Sequence, residues 1–128
     1  MSDERGVIVV DAANVVGSRP DGWWRDRAGA ARRLLAALDA STELTEVVVV
    51  LEGAAKAAAG QEFPRLRIVS AEGSGDDAIV GVVAEAVDSG GGPITVVTAD
   101  RGLRGRVEAL GAGTVGPRWL LERVEPTR

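Results

Sequence analysis

Five carboxylates stand where they could act together. Asp11 closes the apolar run Gly6–Val10, Glu52 follows the run Glu46–Leu51, and Asp100 follows Pro93–Thr98. Asp76 and Asp77 come after a shorter run, Leu66–Val69, and the glycine-containing loop Ser70–Gly75. Unpaired carboxylates gathered in one place repel one another and raise each other's proton affinity. A divalent cation is the simplest neutraliser, and Mg²⁺ takes one or two carboxylates together with waters and phosphate oxygens. The rest of the inventory agrees. The 128 residues include no histidine, cysteine or tyrosine, and Lys56 is the only lysine. That excludes a Ser-His-Asp triad, an imidazole base, a thiol nucleophile and a zinc–thiolate site. Carboxylates, hydroxyls, amides and arginines remain, a set that suits a hard cation bound through oxygen.

Each residue also has a purely structural reading. Asp76 or Asp100 could be a helix N-cap, and Asp77 could simply favour a helix macrodipole. Glu52 could be a ligand, an outer group or a solvated strand end. Asp11 is harder to explain away, because it ends a buried run and no basic residue follows until Arg19. Asn14, three residues on, could orient that carboxylate or bind phosphate or water; its alternative is an Asx-turn. Thr98 could hold a metal-bound water or be an ordinary strand residue. Gly73-Ser74-Gly75-Asp76-Asp77-Ala78 matches the dinucleotide pattern G-x-G-x-x-A only weakly, since its aspartates would repel a pyrophosphate at that helix start.

These residues need a scaffold that brings strand ends together. Runs apolar at every residue fit strands covered on both faces. A last short strand is expected at Thr114–Val115. Between the strands, Trp24, Ala28, Ala31, Leu35 and Leu38 recur at helical spacing, which predicts an amphipathic helix over Trp23–Ala40. A short helix is expected at Ala54–Ala59. Stronger ones are expected at Asp76–Ser89, stopped by Gly90–Gly92, and at Arg101–Leu110; Pro117 opens a last turn. This β-α-β-α-β-α-β-α-β order implies an α/β fold with a parallel sheet of about five strands. Ligands of such sheets bind beyond the carboxyl ends of the strands, where all five acidic residues fall.

Hydrophobic residues make up 45% and charged residues 27%, enough for one globular domain spanning residues 1–128, with the tail 125–128 frayed. No apolar run approaches the ~20 residues of a membrane span, and the acidic start MSDERGVIVVD does not read as a signal peptide. A cytoplasmic protein is expected. The net charge of -4 is unusual for a nucleic-acid binder, although carboxylates reserved for metal would supply part of it.

The segments VIVVDAANVVGS, GSGDDAIV and VVTADRGLR resemble the NYN branch of the PIN-like ribonucleases, and within it the YacP-like group. The resemblance runs from the first strand to the last helix. It implies a three-layer α/β/α sandwich, a Mg²⁺- or Mn²⁺-dependent nuclease site and RNA as substrate. By the same resemblance Asp11, Asp77 and Asp100 are the metal-binding catalytic carboxylates, with Asp76 and Asn14 in support. Glu52 departs from the family, in which aspartate often follows the second strand. The implied chemistry is metal-assisted attack of water on a phosphodiester, leaving a 5′-phosphate. Substrate contacts are expected from Arg101, Arg104 and Arg25, and one of Trp23 and Trp24 could stack on a base. The competing readings are a PIN-like module that holds RNA or a protein partner, or a second copy of itself, without cutting, and a nucleotide-phosphate hydrolase. A toxin role would show as growth arrest on expression.

Overall fold

The computed structural model describes residues 6–19, 21–41, 44, 46–60, 63–90 and 92–124. The expected frayed tail, 125–128, lies outside the described residues. Five strands form one parallel sheet: β1 (Val7–Asp11), β2 (Glu46–Leu51), β3 (Leu66–Ser70), β4 (Ile94–Val97) and β5 (Gly113–Val115), in the order β3-β2-β1-β4-β5. The helices are α1 (Ala12–Gly17), α2 (Arg27–Ala40), α3 (Gly75–Asp88), α4 (Arg101–Glu108) and α5 (Pro117–Val124), with 3₁₀ segments at Trp23–Arg25 and Gly53–Gly60.

The continuous apolar strands explain the layers. Side chains alternate across a strand, so each run feeds two cores. Val10, Val47, Val49 and Leu51 face α1, α2 and α5, where Val15, Leu35, Leu38 and Leu120 are buried. Val7, Val9, Val48, Val50 and Val96 face α3 and α4, against Ile79, Val83, Leu103 and Val107. Each such side chain contributes roughly 1.5–3 kcal/mol by leaving water. The result is the expected three-layer α/β/α sandwich.

Strand order reverses between β1 and β4: from β1 the chain moves outward to β2 and β3, then returns to the other side of β1. That reversal opens a crevice at the carboxyl ends of β1 and β4. Register places it. Val10 pairs with Val97, so the next residues outward are Asp11 and Thr98.

Two elements differ from the sequence reading. The segment Ala12–Gly17 forms a helix directly after Asp11, whose side chain caps it by accepting from the Asn14 backbone N–H. The expected helix over Trp23–Ala40 is broken: Asp26 is extended (φ -152°, ψ 81°) and caps α2 through a 2.8 Å bond from the Gly29 N–H. A helix cap must itself be non-helical, so Trp23–Arg25 is cut off as a single 3₁₀ turn. Trp24, placed by periodicity on the buried stripe, is 54% exposed.

Candidate active site

Asp11 is buried at the floor of the crevice, 8% exposed. Its Oδ2 accepts from the Thr98 hydroxyl at 2.9 Å and its Oδ1 from the Asn14 N–H at 3.2 Å. Thr98, fully buried, ties the centre together. Its hydroxyl also accepts from the Asp100 N–H at 3.1 Å, and its carbonyl accepts from Arg104 Nε at 2.9 Å. Asn14 reaches across the crevice, where its Oδ1 accepts from the Ala99 N–H at 2.8 Å. The Asn14 side chain is therefore a brace between α1 and the end of β4, not a local turn. Burial raises the proton affinity of Asp11; the Thr98 and Asn14 bonds oppose the shift, and repulsion from Asp76 and Glu52 adds to it.

Strand alternation points Asp11, Glu52 and Thr98 to the α3 side of the sheet. The Glu52 carboxylate accepts from the Gly75 N–H at the start of α3. A Cβ at position 75 would collide with that carboxylate, so the close approach needs glycine there. Ser74 caps α3, accepting from the Asp77 N–H at 3.1 Å, so neither aspartate is the cap. Gly75 of the Gly73-Ser74-Gly75 segment thus serves a clamp between β2 and α3.

The helix phase set by Ser74 separates the acidic pair. Asp76 is half-buried and faces the cluster. Its carboxyl is raised above the ordinary value by burial and then by Asp100 and Glu52; Arg106 opposes this and Asp77 adds to it. It makes no hydrogen bond among the described residues. Asp77, expected as a catalytic ligand, instead points outward and pairs with Arg106 at 3.0 Å. Asp100 is exposed and caps α4 through the Leu103 N–H at 2.9 Å. The structure thus brings Asp11, Glu52, Asp76 and Asp100 into one electrostatic neighbourhood and leaves Asp77 at its rim.

The arginines redistribute too. Arg104, expected on substrate, is committed to the Thr98 carbonyl. Arg25 lies 5.8 Å from the Trp24 ring centre, outside the grooves beside the site. Arg101 is exposed at the start of α4, as its position after Asp100 implies. Two grooves flank α1. One, of about 430 Å³, is lined by Ala12, Trp23, Arg27, Glu52 and Gly73 among others. The other, of about 810 Å³, is lined by Asn14, Trp23, Ala99 and Arg118 among others. Arg118 was not singled out in the sequence, where nothing ties a C-terminal helix to Asp11.

The donor set fits a hard divalent cation: it is all oxygen, and two of its members hold their protons more tightly than ordinary carboxylates. Among the described residues no three acidic side chains stand ready to hold one ion together. Two carboxylates completed by waters and phosphate oxygens meet what Mg²⁺ requires.

Sheet order and layers give the chain a YacP-like fold. Rae1 (YacP) from Bacillus subtilis shares it: one structure, a single-substitution variant, matches at TM-score 0.75 and 21% identity over 94% of this chain and 75% of that one. A second structure of the same protein matches at TM-score 0.73 and 22% identity, over 93% and 73% of the respective chains. At that identity the likeness is one of fold. No family model and no curated protein sequence matches the chain.

Proposed function

We propose that this chain is a divalent-metal-dependent ribonuclease that hydrolyses RNA phosphodiester bonds in the crevice above Asp11. The observation that carries the reading is the buried Asp11 carboxylate, held by Thr98 and Asn14 and electrostatically coupled to a second carboxylate, Asp76. Asp11 and Asp76 would hold Mg²⁺ or Mn²⁺, with waters and phosphate oxygens completing its shell and Asp100 beside them. The metal, when bound, would activate a water and neutralise charge building on the phosphate.

The chain's own groups do the rest. Thr98 fixes the Asp11 carboxylate in one orientation, while Glu52 holds the start of α3 so that Asp76 faces inward. Asn14 is anchored by its carbonyl oxygen, which leaves its amide nitrogen, on the wall of the larger groove, to donate to a phosphate oxygen. Arg101, Arg27 and Arg118 supply positive charge around an otherwise acidic centre. Asp77 and Arg104, engaged elsewhere, act through their partners: Asp77 holds Arg106, and Arg104 braces Thr98.

The test is cleavage of labelled single-stranded and hairpin RNA with Mn²⁺ or Mg²⁺, with EDTA and Asp11→Asn as controls. Metal-dependent cutting that leaves 5′-phosphate ends and is lost in the variant supports the reading. A folded protein that cuts neither RNA with either metal overturns it. The second reading, a module that binds RNA or a protein without cutting, has one observation in its favour: no three described carboxylates converge on a single ion position.

A further inference from the structure

The two grooves beside α1 share a wall, the Trp23 indole. Between them α1 presents short side chains: Ala13 lines both grooves, Val16 the smaller and Asn14 the larger, and the Trp23 ring lies against Gly17, 3.7 Å from where a Cβ would sit. One groove reaches Glu52 and Gly73 at the acidic centre; the other reaches Asn14 and Ala99 on its opposite side. The Arg27 guanidinium lies 5.5 Å from the Trp23 ring centre, inside the smaller groove. Trp24 meets Trp23 edge-on at 6.0 Å and holds its orientation. An aromatic wall, a floor of short side chains and a cation over the ring, all continuous with the acidic centre, match a flat ring attached to a negatively charged backbone that draws the cation onto itself.

We propose that the smaller groove is a nucleotide subsite, in which an unpaired base of the RNA strand stacks on Trp23 while Arg27 contacts the adjoining phosphate. This rests on the ribonuclease reading and adds to it the group that sets where the strand lies. Trp23 is thereby a positioning residue. Glu52, whose carboxylate is turned onto the Gly75 N–H, closes the inner end of the groove rather than opposing the strand.

The test is binding, measured with Mg²⁺ present on an Asp11→Asn background so that RNA stays intact. The probes are a short oligoadenylate and an abasic ribose-phosphate oligomer of equal length. Stacking on one aromatic ring predicts roughly 10-fold tighter binding of the base-bearing probe. Trp23→Leu should abolish that preference and Trp23→Phe keep most of it. Arg27→Gln should weaken both probes alike. Circular dichroism and melting confirm that each variant folds. Equal binding of the two probes by the parent overturns the subsite, even if the enzyme cuts RNA. A preference that survives Trp23→Leu also overturns it and moves the platform to Trp24. A Trp23-dependent preference in a protein that never cuts RNA supports the subsite and removes the ribonuclease reading.

Discussion

Among single residues, the most informative contrast is Asp76 against Asp77. The sequence shows two adjacent aspartates opening a helix, and the family resemblance favours Asp77. Which one faces inward depends on the helix phase, and that is set by Ser74 as the cap, a choice that adjacent Ser and Asp residues leave open. Asp76→Asn is expected to abolish metal-dependent cleavage, whereas Asp77→Asn should leave most of it; the reverse result would restore the family assignment. Thr98→Val removes the hydroxyl that orients Asp11 and should cost about 10–100-fold in metal affinity or activity, as loss of an outer-shell partner does. Asp76 also makes a pH prediction. Its folded-state proton affinity is raised by burial and by Asp100 and Glu52 above the ordinary value of 3.8. Between that value and the raised one the folded state binds more proton than the unfolded state, so stability falls as pH rises through the window. In EDTA, Asp76→Asn should therefore be more stable than the wild type at neutral pH, with the advantage shrinking as pH falls toward 3.8. Chemical denaturation across pH checks it, and a constant difference would refute it.

Among the elements, β1 and β2 were legible because their buried runs are almost wholly apolar and give way at once to acid, Asp11 and Glu52. The first helix was not. Ala12–Gly17 is short and carries Val15 and Val16, and the Asp11 that caps it is also a candidate for chemistry at a strand end. The break before α2 was hidden because Trp24 keeps helical spacing with Ala28 and Ala31 while lying in a separate turn. The Glu52 clamp was illegible too, since it joins β2 to α3 across 23 residues of sequence. Its consequence can be tested. Gly75→Ala forces the Glu52 carboxylate off the α3 N-terminus, and the cost should be about 1 kcal/mol, the size of a lost helix cap. Thermal melting measures it, and an unchanged midpoint would show that the clamp carries no stability.

At the scale of the whole molecule, the acidic crevice gathers like charges whose repulsion a bound cation would relieve. Mn²⁺ should raise the melting temperature of the wild type, by an amount equivalent to about 2.7 kcal/mol at 100 times its dissociation constant. EDTA should reverse the shift and Asp11→Asn should blunt it. A midpoint insensitive to metal would remove the metal site and favour the non-cutting module. The fold itself was readable from the alternation of apolar runs and helical patterns. The grooves were not, because the smaller one needs Trp23 and Arg27 beside Glu52 and Gly73, and the larger one needs Arg118 of α5 beside Asn14, neighbours that only the packed fold provides.

The bond between Thr98 and Asp11 joins residues 87 positions apart, and it has a consequence for the order of synthesis. A chain emerging from its N-terminus makes β1, β2 and β3 first, and β1 then keeps one open edge until residues 94–97 arrive to fill it. Up to that moment Asp11 lacks its Thr98 partner and Asp100 is not in place, so the crevice is not assembled. The strand that fills the open edge of β1 thus also brings Thr98 to Asp11, and a fragment ending before β4 should lack the assembled crevice and be prone to aggregate through its exposed edge.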